Sequence, residues 1–234
     1  IGYTATDAEA IMSVVSTWGQ KINMIIASIS TGLMVSLIPH LTASFVKKDM
    51  EDVKKKINQT IQWSLFFTIP MTFGLSVLAK PVWTFFYGVS EFGPSVYQYY
   101  VFVALATTLF TASVTILQLL KEYKQVFICL LTGLLTNALL NIPLLYAFHN
   151  MGLPAYYGST TSTILGYFAC SYLALRYIGK KYKISYEETI KRVINIFLIT
   201  LVMVICLLIM KYIFPITTTS KILNMLYVLL FTVM

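Results

Sequence analysis

Long apolar runs alternate with short polar stretches along the whole chain. Cut at the ~20 residues a helix needs to cross a bilayer, they predict six complete spans, over 22–46, 61–86, 96–120, 126–148, 153–175 and 193–214. A seventh run covers 222–234. At 1.5 Å per residue it reaches roughly 20 Å, short of the ~30 Å hydrocarbon core. Barrel strands would show ten-residue alternation, and these runs are continuous. Helices also satisfy every backbone group within the segment, as lipid demands. The expected fold class is therefore all-α, a polytopic transmembrane helix bundle. The chain starts at Ile1 without an initiator methionine and stops inside an apolar run, so both ends are expected to be cut.

Composition agrees. Only 11% of residues are charged, where a soluble domain carries roughly a quarter, so much of the surface is expected to face hydrocarbon. The net charge of +8 is informative through its placement. Lys47, Lys48, Lys54, Lys55 and Lys56 follow the first span; Lys121 and Lys124 follow the third; Arg176, Lys180, Lys181, Lys183, Lys191 and Arg192 surround the loop after the fifth. The stretches between them, 88–95 and 150–152, have no basic residue. This alternation predicts cytoplasmic basic loops and an external segment 1–18, a loop or the start of the first helix. An external start implies at least one further span before Ile1. It also argues against nucleic acid as a partner, because the charge serves topology.

Polar groups inside the spans supply the candidate chemistry. Ser28, Gly32, Ser36 and His40 recur every four residues in the first span, as a cavity wall or as a helix contact through small residues. Gly133, Asn137 and Asn141 in the fourth span and Gly158, Ser162 and Gly166 in the fifth repeat the spacing. Packing is the simpler reading for both, with substrate contact open for the asparagines. Thr107, Thr111 and Thr115 share a face in the third span, with Gln118 near its cytoplasmic end. Pro70, Gly74 and Pro81 predict kinks in the second. Lys80 could meet an anionic substrate or snorkel to the interface. His40 could titrate near neutrality or sit as an interfacial hydrogen-bonding group.

The spans contain no Asp or Glu, so this half offers no intramembrane carboxylate for ion coupling. Walker A, GxSxG and HExxH patterns are missing, and Cys129, Cys170 and Cys206 have no metal-ligand spacing. No cofactor, metal or catalytic residue is expected.

IIASISTGLMVSLIPHLTASFVKKDMEDVKKK (25–56) resembles the start of the second lobe in the multidrug/oligosaccharidyl-lipid/polysaccharide (MOP) exporter superfamily, with its "LiP" element and charged "kD" loop. IPMTFGLSVLAKPVWTFFYG is similar to that family's proline helix, and ILQLLKEYKQ to its "iLQg..k" turn. TNALLNIPLL and GLPAYYGSTTSTILGY resemble its next two helices, although YYGSTTST replaces a small-residue run and Thr136 stands where a lysine is usual. The likeness is nearest to MurJ-type lipid II flippases and related Gram-positive polysaccharide exporters.

The resemblance implies the second lobe of a two-lobe transporter in the bacterial plasma membrane. Residues 19–178 would be helices 8–12, 179–192 a cytoplasmic basic loop, and 193–234 the final pair 13–14, the last truncated. It implies alternating access and a lipid-linked saccharide as cargo, with membrane lipids and the missing N-terminal lobe as partners. The headgroup-binding arginines of such proteins lie in that missing lobe, and their last two helices form a groove for the lipid tail. Candidate cavity residues in this half are Ser36, His40, Lys80, Gln118, Asn137 and Asn141. A multidrug cation antiporter of the same superfamily is the first alternative, but such antiporters often carry an acidic residue in this lobe. A membrane-embedded glycosyl or acyl transferase is the second; it would need clustered carboxylates or histidines.

Overall fold

The structure is a computed structural model describing residues 3–213. The expected final span, 222–234, lies outside the described residues. Among those described there are helices and no strands: α1 (Ala5–Ser13), a π-helical turn (Val14–Trp18), α2 (Gly19–Val46), α3 (Met50–Val77), α4 (Ala79–Tyr87), α5 (Gly93–Tyr100), α6 (Phe102–Leu119), α7 (Tyr123–Asn150), α8 (Tyr156–Tyr182) and α9 (Glu187–Ile213).

The segment 1–18, expected as an external loop or the start of the first helix, is helical from Ala5. Thr4 and Asp7 form a reciprocal capping box that pairs two otherwise unmatched N–H groups. The helix then runs on through a widened turn, in which the Gly19 N–H reaches the Val14 carbonyl five residues back. A Cβ at residue 19 would lie 2.8 Å from that carbonyl oxygen, so the turn needs glycine. The extra residue shifts the helix phase by about 100°. That shift brings Ile11 and Val14, buried in the outer core, into line with Ile22, Ile26 and Ser30 on the buried side of α2.

The second expected span, 61–86, is not one straight helix. It bends by 81° between α3 and α4. Pro70 lies inside α3 without breaking it, and the break falls at Leu78, four residues after Gly74. Pro81 has no N–H to offer the Val77 carbonyl; that carbonyl instead accepts from Lys211 Nζ on α9, at 3.4 Å. The expected basic loop 179–192 also shrinks, because α8 runs to Tyr182 and α9 starts at Glu187. Lys183, at φ 51°, turns the chain out of α8, and Glu187 and Glu188 occupy the first turn of α9, where acidic groups suit the helix dipole.

Among the described residues four helical segments are long and apolar enough to cross a membrane, and the bent α3–α4 pair makes a fifth if it counts as one span. At 27 residues α8 also has the length; its hydroxyls, tyrosines and terminal lysines dilute its apolarity, and it lies against α6 and α7. The α7–α8 contact is the most extensive. It is close because Gly133, Gly158 and Gly166 leave no Cβ in the way: one at Gly158 would come within 2.5 Å of the Leu144 backbone. By contrast α9 lies on α3 and shows Ile194, Leu198, Val202 and Ile209 outward.

The core has two parts. Ile22, Ile26, Val82, Trp83, Tyr97 and Val101 anchor one end; Leu41, Val53, Ile57, Leu117, Cys129 and Ile178 anchor the other. At the second end the three basic loops converge. Glu122 in the α6–α7 turn pairs with Lys181 at the end of α8, and Asn58 near the start of α3 bonds Ser185 and Thr189 around the α8–α9 loop. Thirteen of the 17 basic residues lie in these segments, so this is the end that the positive-inside rule expects to be cytoplasmic. Trp18, Trp83, Tyr87, Tyr99 and Tyr157 cluster at the opposite, outer end, as interfacial aromatics do.

Candidate functional site

One helix carries polar residues where the bundle does not use them. α2 packs against α3 and α6 through Ile22, Asn23, Ile26, Ser30, Met34 and Leu41. Its other face is bare and holds Ser28, Gly32, Ser36 and His40, all exposed. A Cβ at Gly32 would meet nothing within 4 Å, so this glycine is not there for a contact within the chain. The serine hydroxyls donate to carbonyls of their own helix, Ser28 to Met24 at 2.6 Å and Ser36 to Leu33 at 2.7 Å. They remain free to accept from a ligand or water.

Both ends of this line carry cationic groups. At the cytoplasmic end Lys56 Nζ donates to the His40 carbonyl at 3.1 Å and to Ser44 Oγ at 2.7 Å, and forms an ion pair with Asp52. That ammonium and the Ser44 hydroxyl hold the Asp52 carboxyl below the usual carboxylate range. Gln118, exposed in the last turn of α6, stands at the same level, since Ile38 and Leu41 share a small cavity with Thr115, Ile116 and Leu119. At the outer end is Lys21, two turns before Ser28 on the same face, its ammonium 4.8 Å from the Trp18 ring centroid. Lys21 escapes a reading that starts the first span at Ile22; the seven-residue spacing to Ser28 is the signal that could have found it.

The structure does not gather the six candidate residues in one place. Ser36, His40 and Gln118 share the cytoplasmic half of the α2–α6 surface. Lys80 is exposed in the first turn of α4, beyond the bend. Asn137 and Asn141 are half-buried on α7 and face α8: Ser162 Oγ donates to Asn137 Oδ1 at 3.0 Å, and Asn141 Nδ2 donates to Ser159 and Ser162 at 3.3 Å each. Asn137 also lines a cavity of about 230 Å³ with Phe110, Gly133, Thr163 and Tyr167.

The sequence carries a second polar line, outside the candidates above. Thr60, Ser64, Thr68 and Thr72 recur every four residues on α3 and are buried. Thr68 joins Ser30 of α2 at 2.7 Å and Thr108 of α6 at 3.5 Å, tying three helices at mid-depth.

A many-spanning helical bundle with one uncovered polar helix face defines a multi-pass helical membrane protein. Known proteins say which kind. A sequence model described as lipid II flippase MurJ matches residues 20–232. The lipid II flippase MurJ of Bacillus subtilis (strain 168) is 30% identical over 210 residues, covering 88% of this chain and 38% of that protein. A solved structure of lipid II flippase MurJ in an inward closed conformation superposes with a TM-score of 0.70 at 16% identity, over 95% of this chain and 45% of that one. The chain belongs to the MurJ lipid II flippase family, of multi-pass plasma-membrane proteins, and it spans about two-fifths of the length of these relatives.

Proposed function

We propose that this chain is the second half of a flippase that moves a lipid-linked cell-wall precursor across the plasma membrane by alternating access. The bare face of α2, from Lys21 to His40, would be its share of the central path. In this reading 1–18 forms the outer rim, 19–178 the lobe, 179–192 its basic cytoplasmic edge and 193–234 the final helix pair.

The observation that carries the reading is the contrast between two uncovered helices. α9 is exposed and apolar, which suits lipid. α2 is exposed too, but along one line it offers hydroxyls, a glycine, an imidazole and an ammonium. Such groups are costly against hydrocarbon and belong against a wet path or a partner lobe. Lys21 would give an anionic headgroup a counter-charge at the outer end, whereas at the inner end Lys56 is already paired with Asp52. Along the middle of the face Ser28, Gly32 and Ser36 add no charge, so the cargo is not trapped midway.

Single cysteines test this in the full-length protein with its native cysteines replaced. A membrane-impermeant thiol reagent is expected to modify Gly32→Cys and Ser36→Cys far faster than Ile199→Cys on α9, with cargo protecting the first two. Equal rates at all three positions, or no protection, would remove α2 from the path.

A further inference from the structure

We propose that three lysines held in left-handed backbone at the basic end of the bundle, Lys48, Lys121 and Lys183, form a surface that binds the phosphates of anionic phospholipids in the adjoining leaflet. The inference rests on the placement of the bundle in a membrane and is independent of what the protein carries.

The backbone singles these residues out. Among the described residues φ is positive at Gly88 (84°) and Gly152 (73°), and at Lys48 (58°), Lys121 (60°) and Lys183 (51°). Glycine adopts such a φ freely, whereas a Cβ strains it. The three lysines share one motif, at the ends of α2, α6 and α8. In each, the following N–H reaches back five residues to a carbonyl: Asp49 to Ser44 at 3.0 Å, Glu122 to Leu117 at 2.9 Å, and Ile184 to Gly179 at 3.0 Å. Glycine is the usual residue at that position. The end of α7 makes the same closure, Leu153 to Phe148 at 3.0 Å, and there the residue is Gly152.

Two simpler causes do not account for this split. A helix C-terminus attracts a cation, but α7 ends in the same motif without one at that position. Membrane orientation needs basic residues only somewhere in the loop, and unstrained positions were open to them. Lysine stands at the strained position only at the end expected to face the cytoplasm.

The three ammoniums are free to meet an anion. All three residues are exposed, and none joins an ion pair among the described residues. The carboxylates around them are already engaged. Asp49 Oδ1 caps α3 by accepting from the Asp52 N–H at 3.1 Å. Glu122 is held by Lys181, Tyr177 and Tyr182. Glu51 and Asp52 pair with Lys54 and Lys56, and Glu187 and Glu188 with Lys191 and Arg192.

Depth identifies the anion. The 28 residues of α2 rise about 42 Å, the thickness of a bilayer with its headgroups. With Trp18 at the outer interface, Lys48 stands level with the lipid phosphates of the other leaflet. On α8 the exposed stripe Leu165, Phe168 and Tyr172 runs on through Arg176 and Lys180 to Lys183. Acyl chains lying along that stripe bring their headgroups to these cations. Clustered lysines just beyond membrane helices attract anionic lipid.

The test places the full-length protein in bilayers and compares the association of spin-labelled phosphatidylglycerol and phosphatidylcholine by electron paramagnetic resonance. Wild type is expected to favour phosphatidylglycerol by roughly threefold or more. Combining Lys48→Gly, Lys121→Gly and Lys183→Gly removes three charges and suits the turns. The preference should vanish, while the thermal midpoint in lipid-free detergent holds or rises. Combining Lys47→Gln, Lys55→Gln and Lys124→Gln removes as many exposed charges at the same end and should keep most of the preference. Equal loss in both triple variants would reduce the effect to net charge and overturn the site. So would a preference that the glycines leave intact, or a midpoint they lower, since the lysines would then serve the helix ends. A wild type without preference would overturn it too, and binding of soluble polyglutamate would then assign the surface to an acidic polypeptide. Each of these outcomes leaves the flippase reading to its own test on α2.

Discussion

Gly158→Ala is the sharpest probe of the lobe's packing. The new Cβ would sit 2.5 Å from Leu144 C and O and from Leu145 N, all backbone atoms that cannot swing away. Restoring ordinary contact means parting α7 and α8 locally by about 1 Å, an overpacking strain of roughly 1–3 kcal/mol. The same movement stretches the Asn141 bonds to Ser159 and Ser162, already 3.3 Å, past any useful length. Buried polar contacts between membrane helices average about 0.6 kcal/mol each, so the total falls at roughly 2–4 kcal/mol. Gly32→Ala is the matched control: its Cβ meets nothing, and alanine is the better helix former by up to about 1 kcal/mol. Reversible unfolding in bicelles by steric trapping measures both. A Gly158→Ala protein as stable as wild type, or a Gly32→Ala protein equally damaged, would refute the close-contact argument.

Three further outcomes are expected. Lys21→Glu should slow cargo export at least ~tenfold in a cell-based lipid II accessibility assay while Lys21→Arg retains it, because a like charge near a phosphate costs several kcal/mol at an effective dielectric of about 20; unchanged export would exclude Lys21 from the path. Burial raises the Glu122 pKa, but Lys181, Tyr182 and Tyr177 outweigh it and hold the carboxyl below its usual 4.5. A lowered folded pKa contributes stability that is present above pH 4.5 and lost as pH falls through the folded value, so thermal scans should show an acid decline in wild type that Glu122→Gln flattens. Asn141→Ala should cost about 0.6–1.7 kcal/mol in the unfolding assay and leave labelling of Ser36→Cys unchanged, since Asn141 faces α8.

The spans were legible because lipid imposes a single requirement on every residue of a crossing segment. Basic-loop alternation reported the ends of the bundle for the same reason: it is a property of whole loops. What failed were features set by one atom or one neighbour. Pro70 and Pro81 read alike in the sequence, yet the chain breaks only near Pro81, where a lysine over 130 positions later takes up the released carbonyl. The candidate site was half legible. Periodicity found the line on α2, but it cannot tell a covered face from a bare one. So Ser28 and Ser36 lie open while Asn137 and Asn141, at the same spacing, are spent on α8. Lys21 falls one residue outside a span that begins at Ile22, and the α3 hydroxyls gain their meaning only from the helices that cover them.

The widened turn before Gly19 has a consequence for how such chains evolve. Regular helix counting fails by one position there, so a deletion between Val14 and Trp18 would roll the first three turns about a quarter of the way around and point Ile11 toward water. The shape of the extracytoplasmic lip is thus written in a residue count. Relatives could exchange nearly every side chain of that segment and keep the lip's orientation, and lose it by dropping a single amino acid.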